Sequence, residues 1–498
     1  MSKTAMSLPV VSMKYRSSLG QLDMASVNSA VLNRSRTFRE NIVLLFCAAT
    51  FVVVLTQTGI EFYVPAVFGS FVLILLFQKI LLDASLSFLY MTVPSFFLLL
   101  YLILMSIPSM IIFPTMPPPV KYTYFLALQS VLITFPIGVM LANIHVQNPS
   151  KNIRRYLHST LEKTEQDRLF LPFFKLFIIS SFPIMVLYFL YSKHVQLIEV
   201  AKVYPTLIEK EALRFTANEL PKIIHFLFEI LRRFILPFCM LYAFFMALVY
   251  KSKWRITFWM LFFSTLVVSM MTLDRAPPAA LFFMIIIAYL LGRNKSVLGA
   301  FNIKLIVMFA IASILGGAIS IFQYQSDRYW DVFVNNVWYF TSYRLLQDPS
   351  YMASLAFENF NEGTGFLYGK AIRLFSVLLN FEYVESLDFA IPLAAAPVSF
   401  IGDLWRNWGW PGVIIGPICL GYLYQLIQLK LFTTKNVTSL TIYVIILTQS
   451  VWILYGNLLG IMSVTVFSIS IFFGLLNNRR TKSYRHRYHK LSVKSSAF

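Results

Sequence analysis

The chain has 498 residues, 58% of them hydrophobic, with 42 Lys and Arg against 22 Asp and Glu and a formal net charge of +20. This balance excludes a disordered or water-soluble globular protein, and the basic surplus suits anionic lipid headgroups rather than nucleic acid. The three cysteines, Cys47, Cys239 and Cys419, all lie in apolar runs without a C-x-x-C pair, which excludes a disulfide framework and a thiolate metal site.

In chain order, residues 1–40 are polar and basic, with no short apolar core and cleavage site. They predict a flexible arm rather than a cleaved signal. Twelve apolar runs follow, at about 41–57, 63–82, 87–107, 122–143, 169–191, 223–250, 256–273, 277–292, 304–322, 410–430, 438–455 and 458–476. Most approach the ~20 residues that cross a bilayer core, so an all-α polytopic membrane protein is predicted. The domains are then a basic arm (1–40), a membrane domain (41–476) and a basic tail (477–498). That tail carries Arg479, Arg480, Lys482, Arg485, Arg487 and Lys490.

Loop charge orients the spans. Positive residues collect on the cytoplasmic side of short loops. With an inside N-terminus, the cytoplasmic pieces are 1–40, 79–86, 144–168, 251–255, 293–304, 430–437 and 477–498. These hold 27 Lys and Arg against 6 Asp and Glu, a surplus of 21, and the rest of the chain holds 15 against 16. The whole net charge therefore falls on one side, which places both termini in the cytoplasm. No internal repeat at a fixed period is visible, which argues against a transporter built from inverted halves.

Three segments face outward. The Pro-rich piece 108–121 (Pro108, Pro114, Pro117, Pro118, Pro119) predicts an ordered turn without helix. The piece 193–222 is mixed in charge. The largest, 323–409, is dense in aromatics, and Asp331, Val334, Val337, Tyr339, Ser342 and Leu345 follow a helical spacing suited to a helix lying on the membrane. Its part 389–401 is apolar but too short to span, which predicts an interfacial or re-entrant segment.

Charged residues in costly places mark candidate sites. Asp274 and Arg275 stand at the outer end of the seventh span, before Pro277-Pro278, where the charge rule does not put arginine. Arg232 and Arg233 lie about ten residues inside the sixth span, roughly 15 Å below its outer end at the helical rise. Glu229, three and four residues earlier, can pair with one of them. Ionisable groups at such depth are functional candidates by default, with a paired, helix-locking charge as the alternative. In the outer loop, Arg328, Arg344, Arg373 and Arg406 recur among Asp327, Asp348, Glu358, Glu362 and Asp403. Guanidinium groups bind phosphate oxygens bidentately and keep their charge, which fits a pyrophosphate. The aromatic run Trp338–Tyr343 and the tryptophans Trp405, Trp408 and Trp410 fit sugar stacking, or a membrane-interface belt.

Two stretches carry a family resemblance. Thr341-Ser342-Tyr343-Arg344 with Asp348-Pro349-Ser350 and Gly363-Thr364-Gly365-Phe366-Leu367-Tyr368-Gly369 resembles the large outer loop of bacterial O-antigen and oligosaccharide repeat-unit polymerases. So does Phe400-Ile401-Gly402-Asp403-Leu404-Trp405-Arg406-Asn407-Trp408-Gly409-Trp410-Pro411-Gly412-Val413, and Asp274-Arg275 resembles that family's arginine before a span. The likeness covers mainly 265–425. It departs from the family in lacking the arginine-plus-glycine spacing: eleven residues beyond Arg344 stands Leu355.

The resemblance implies a membrane glycosyltransferase of GT-C-like architecture in the bacterial inner membrane. Such an enzyme polymerises undecaprenyl-pyrophosphate-linked repeat units at the outer face without metal or other cofactor. It implies catalytic roles for Arg275, Arg344, Asp403, Glu362 and Asp274. Substrate-binding roles fall to Arg328, Arg373, Arg406, Tyr343, Trp405 and Asn407 in this region, and the depth of Arg232 and Arg233 within a span makes them candidates for clamping the pyrophosphate. Partner proteins of the same pathway, a chain-length regulator and a flippase, belong to the same expectation. Two rivals remain: a flippase for the same lipid-linked oligosaccharide, and an O-antigen ligase. The ligases use a histidine in this loop, and 323–409 contains none.

Overall fold

A computed structural model describes residues 91–112, 116–146, 149–159, 161, 170–192, 220–250, 253–271, 276–292, 348–361, 365–368, 370, 399–433, 435–455 and 462–478. Among these residues the regular structure is helical throughout. In chain order the helices are α1 (Val93–Tyr101), α2 (Ile107–Ile112), α3 (Pro118–Asn143), α4 (Pro149–His158), α5 (Leu171–Tyr191), α6 (Lys222–Ile230) and α7 (Leu236–Tyr250). They continue with α8 (Lys253–Met270), α9 (Ala276–Gly292), α10 (Asp348–Asn359), α11 (Phe400–Leu431), α12 (Val437–Tyr455) and α13 (Met462–Asn478). Short π-helical segments, Leu102–Ser106 and Leu231–Ile235, join α1 to α2 and α6 to α7.

Among the described residues, five continuous helices are long and apolar enough to cross a membrane: Pro118–Asn143, Leu171–Tyr191, Lys222–Tyr250, Phe400–Leu431 and Val437–Leu454. Where the predicted spans fall on described residues, helix is present; the predicted spans 41–57, 63–82 and 304–322 lie outside them. The Pro-rich turn needs correction. Residues 107–112 are helical, and α3 already begins at Pro118, with Pro117 as its N-cap. Proline suits a first helical turn because the amide it lacks has no partner there anyway and its φ is pre-set. The predicted surface helix at 331–345 and the apolar piece 389–398 lie outside the described residues.

Local chemistry sets several helix starts. Thr92 caps α1: its Oγ1 accepts from the Ser95 amide at 3.1 Å, and the Ser95 hydroxyl accepts from the Thr92 amide at 3.1 Å. Asn436 and Ser439 repeat the exchange before α12, at 2.7 and 3.0 Å. Each exchange satisfies amides that a helix start leaves without a partner.

Packing in a membrane gains little from expelling water, so close contact and small residues decide it. Helices α3 and α11 meet backbone to backbone at Gly138 and Gly421. One turn on, the Gln425 amide donates to the Asn143 side-chain oxygen at 2.6 Å, so the two helices advance in the same direction. Phe97 of α1 wedges beside this crossing. It stacks on Phe135 at 4.6 Å between ring centroids and meets Phe400 and Tyr424 edge-on at 5.7 and 5.5 Å. Antiparallel to one another, α5 and the helix α6–α7 pair Tyr188 with Phe228 (4.0 Å) and Phe174 with Tyr242 (5.3 Å). Helix α5 turns Phe182 and Leu190 outward, 75% and 73% exposed, as a lipid-facing helix does.

Helix α10 closes one end of the bundle. The Ser350 hydroxyl donates to the Met105 carbonyl at 2.9 Å, Tyr124 meets the same hydroxyl at 3.1 Å, and Phe357 stacks on Trp405 at 4.3 Å. Part of the predicted outer loop is thus an ordered helix packed on α3 and α11.

Candidate functional site

Among the described residues two clusters bring buried charged side chains into ion pairs. The first sits where α6 passes into α7. The chain there adopts a π-helical turn, Leu231–Ile235, which contains Arg232 and Arg233. Such turns take in one extra residue and frequently occur at functional sites. The Glu229 carboxylate lies one turn before, with its side chain 3% exposed. One oxygen pairs with the Arg232 guanidinium and the other accepts from Arg233 Nε at 2.6 Å. Where the sequence predicts a single partner for Glu229, the structure gives it two. The Arg232 guanidinium also stands 6.0 Å from the centroid of Phe228.

The two arginines differ in access. Arg232 is 3% exposed, while Arg233 is 31% exposed. Both border a recess lined by Pro237 of α7, Thr265 and Ser269 of α8, Pro277 and Met284 of α9, and Gln449 and Trp452 of α12. Thr265 and Ser269 donate to the carbonyls of Leu261 and Leu266 at 2.6 and 2.7 Å, leaving their oxygens' lone pairs as acceptors. Burying an arginine within a membrane helix costs several kcal/mol unless a partner is supplied, and Glu229 supplies it for both. The arrangement can hold an anionic group against Arg233, with a polar amide and an indole on the facing wall.

The second cluster fills the first turns of α11. Asp403 and Arg406 form an ion pair of 2.5 Å with side chains 1% and 0% exposed. The Asn407 amide donates to the Asp403 carbonyl at 2.9 Å, and the Trp405 indole donates to the Phe360 carbonyl at 2.7 Å. The Trp405 ring is stacked on Phe357 and meets Phe366 and Trp410 edge-on. The helix then breaks at Gly409, whose φ of 58° and ψ of −139° suit glycine alone. The break frees the Arg406 and Asn407 carbonyls, which accept from the Leu367 and Tyr368 amides at 2.9 and 2.8 Å. The ring of Phe366 fills the space beside Gly409.

These placements change the roles that the sequence suggests for four residues. Trp405 is 5% exposed and covered by other aromatics, so its face does not meet a sugar in this arrangement. Asn407 and Arg406 are fully buried, and Asp403 is held by Arg406. Together they tie the 365–368 strand of chain to the kinked helix, which is a structural task. The candidates Arg275, Asp274, Arg328, Tyr343, Arg344, Glu362 and Arg373 lie outside the described residues. Pro277, on the recess wall, follows Arg275 by two positions in the chain.

Thr265, Ser269, Gln449 and Trp452 are absent from the sequence-derived candidates. The available signal was Gln449, an amide inside an apolar span. Among the described residues no group of three or more His, Cys, Asp or Glu side chains is arranged to hold a metal ion. A scan against protein-family models and searches of curated proteins and of solved structures return no match to this chain.

Proposed function

We propose that the protein is a membrane-embedded polymerase of oligosaccharide repeat units carried on undecaprenyl pyrophosphate. In this reading it has about twelve spans in a GT-C-like arrangement, with its chemistry at the outer face of a bacterial inner membrane. One observation carries it: about a third of the way along the long apolar helix Lys222–Tyr250, Glu229 holds two consecutive arginines, and Arg233 remains 31% exposed at a recess. A membrane interior tolerates such a group when it serves a ligand, and the ligand chemistry that matches a guanidinium is phosphate. The same-direction course of α3 and α11 agrees with an even number of steps between the fourth and tenth predicted spans, and loop charge alone gives the inward direction.

The step is glycosyl transfer. A hydroxyl oxygen of one lipid-linked repeat attacks the anomeric carbon of the growing glycan. The bond from that carbon to the pyrophosphate oxygen breaks, and the hydroxyl proton passes to a carboxylate. Negative charge gathers on the departing lipid pyrophosphate, where Arg233, Arg275 and Arg344 stabilise it; removing one such contact costs roughly 10²–10³ in rate. Asp403 is engaged by Arg406 within its own helix. In this reading the base is therefore Glu362 or Asp274, a carboxylate that takes the proton of the attacking hydroxyl.

The test is direct. Purified protein in nanodiscs is given undecaprenyl-pyrophosphate-linked repeat units without metal or nucleotide sugar. Wild type should build a ladder of longer glycans, and Arg233→Ala and Arg275→Ala should lose it at unchanged expression. A ladder that persists in both variants removes the arginine mechanism. Lipid-linked repeats that cross vesicle membranes without lengthening would make the protein a flippase.

A further inference from the structure

The short helix α4 lies six residues beyond the end of α3, at the opposite end of the bundle from α10. Its side chains divide sharply. Ile153 and Tyr156 are each 2% exposed. Ile153 packs with Leu429 near the end of α11. Tyr156 lies against Phe432 and Tyr443 at 5.9 and 5.8 Å, with its hydroxyl 3.4 Å from that of Ser439. The buried Tyr156 hydroxyl is correspondingly pushed to a high pKa by loss of solvent. The Tyr443 hydroxyl in turn lies 2.7 Å from both the Met91 carbonyl oxygen and the Gln428 side-chain oxygen, with one proton to share between them. Helix α4 is therefore pinned at the height where α1, α11 and α12 begin or end.

Its other face is cationic. Lys151, Arg154 and Arg155 are exposed, and at 100° per residue they fall within about 100° of arc, opposite Ile153. The helix contains no acidic residue. Lys430, at the end of α11, is exposed beside it, and Lys435 follows in the next loop. A solvated loop does not need an anchored helix to carry three cations. A helix fixed by Ile153 and Tyr156 at the end of the spans holds those cations level with lipid headgroups.

We propose that the Lys151–Arg154–Arg155 face of α4 is a docking surface for anionic phospholipid headgroups of the adjoining leaflet, which is the cytoplasmic one on the charge-derived orientation. It acts apart from the glycan chemistry proposed above and does not depend on it. Occupancy of this surface would hold α4, and through Tyr156 and Tyr443 the junction of α1, α11 and α12, in place.

The test measures binding of fluorescent phosphatidylglycerol and phosphatidylcholine to the full chain in detergent micelles. Wild type should prefer phosphatidylglycerol. The Lys151→Gln/Arg154→Gln/Arg155→Gln variant should lose roughly 10²-fold of affinity for it, given the pull each cation exerts near an anionic surface. Arg154→Lys/Arg155→Lys should keep the preference, and 1 M salt should abolish it by screening. A triple variant that retains the preference overturns the proposal and assigns it to the basic tail beyond Asn478. Wild type without a preference also overturns it, as does inorganic phosphate competing as well as the lipid at equal concentration.

Discussion

Gly138 and Gly421 stand on either side of one helix crossing. A Cβ on Gly138 would come 2.0 Å from the Ile418 carbonyl oxygen, and one on Gly421 would come 2.2 Å from that of Phe135. Both obstacles are backbone, which cannot rotate away. Gly138→Ala or Gly421→Ala must therefore part α3 from α11 and strain the Asn143–Gln425 hydrogen bond. Each should destabilise the protein by about 1–3 kcal/mol, the usual cost of overpacking. Thermal unfolding in detergent would show it, and an unchanged midpoint for either variant would mean that the helices do not cross as described.

Glu229 is the counter-charge for two guanidinium groups. Glu229→Gln keeps the shape and removes the charge, leaving Arg232 at 3% exposure without that partner. Breaking a buried pair from one side costs about 3–5 kcal/mol. The expected outcome is a sharp fall in folded yield, partly recovered in Glu229→Gln/Arg232→Met, where a flexible apolar chain replaces the arginine. A Glu229→Gln variant as stable as wild type would argue that water or another group satisfies the arginines.

The Asp403–Arg406 pair separates structure from chemistry. If its task is to hold the kinked start of α11, Asp403→Asn lowers stability by a similar 3–5 kcal/mol, because Arg406 is wholly buried. The double variant Asp403→Ala/Arg406→Ala should then be less harmed than the sum of the single ones. Loss of glycan lengthening in Asp403→Asn with full thermal stability would instead restore Asp403 as the base.

Gly409 combines a backbone demand with a steric one. Its φ of 58° is paired with a Cβ position 2.6 Å from the Phe366 ring. Gly409→Ala should cost about 1–3 kcal/mol of backbone strain in addition to that clash. Removing the ring as well, in Gly409→Ala/Phe366→Ala, should relieve only part of the damage. Full rescue would show that the ring alone matters.

Lys435, in the turn between α11 and α12, has its amine pKa lowered to about 8 because burial disfavours the ammonium form. In the unfolded chain a lysine titrates near ~10.4. The unfolded state thus binds more protons between these values, and stability rises with pH across that window. Below about pH 8 the cost of holding the half-buried ammonium is fully present. Amine acylation of Lys435 should reach half its maximal rate near pH 8, ahead of a lysine in a short model peptide. A Lys435 profile that coincides with the peptide's would refute the shift.

The helical nature of the chain was legible because apolar runs of membrane length have few other solutions. Runs 122–143, 169–191, 223–250 and 438–455 match helices to within a few residues. Span ends were less legible. The prolines at 117–119 read as a turn, yet they open α3, since proline both breaks a helix interior and starts a helix. The roles of single residues in 400–410 were not legible. Trp405 as a letter fits an interface, a sugar platform or a core, and burial by Phe357, Phe366 and Trp410 chose the core.

Composition and spacing by themselves determined that this is a chain of long apolar helices suited to a membrane, and that Glu229 lies within reach of an arginine. These properties follow from solvent transfer and helical periodicity, which act along the chain. Only the tertiary structure decided that Glu229 holds both arginines at a π-helical turn, and that Thr265, Ser269 and Gln449 stand around them. It also decided that the Asp403–Arg406 pair is sealed inside. The lining of the recess and the sealing of that pair depend on which distant segments share a surface, and contacts between residues far apart in the chain leave no periodic trace in the sequence.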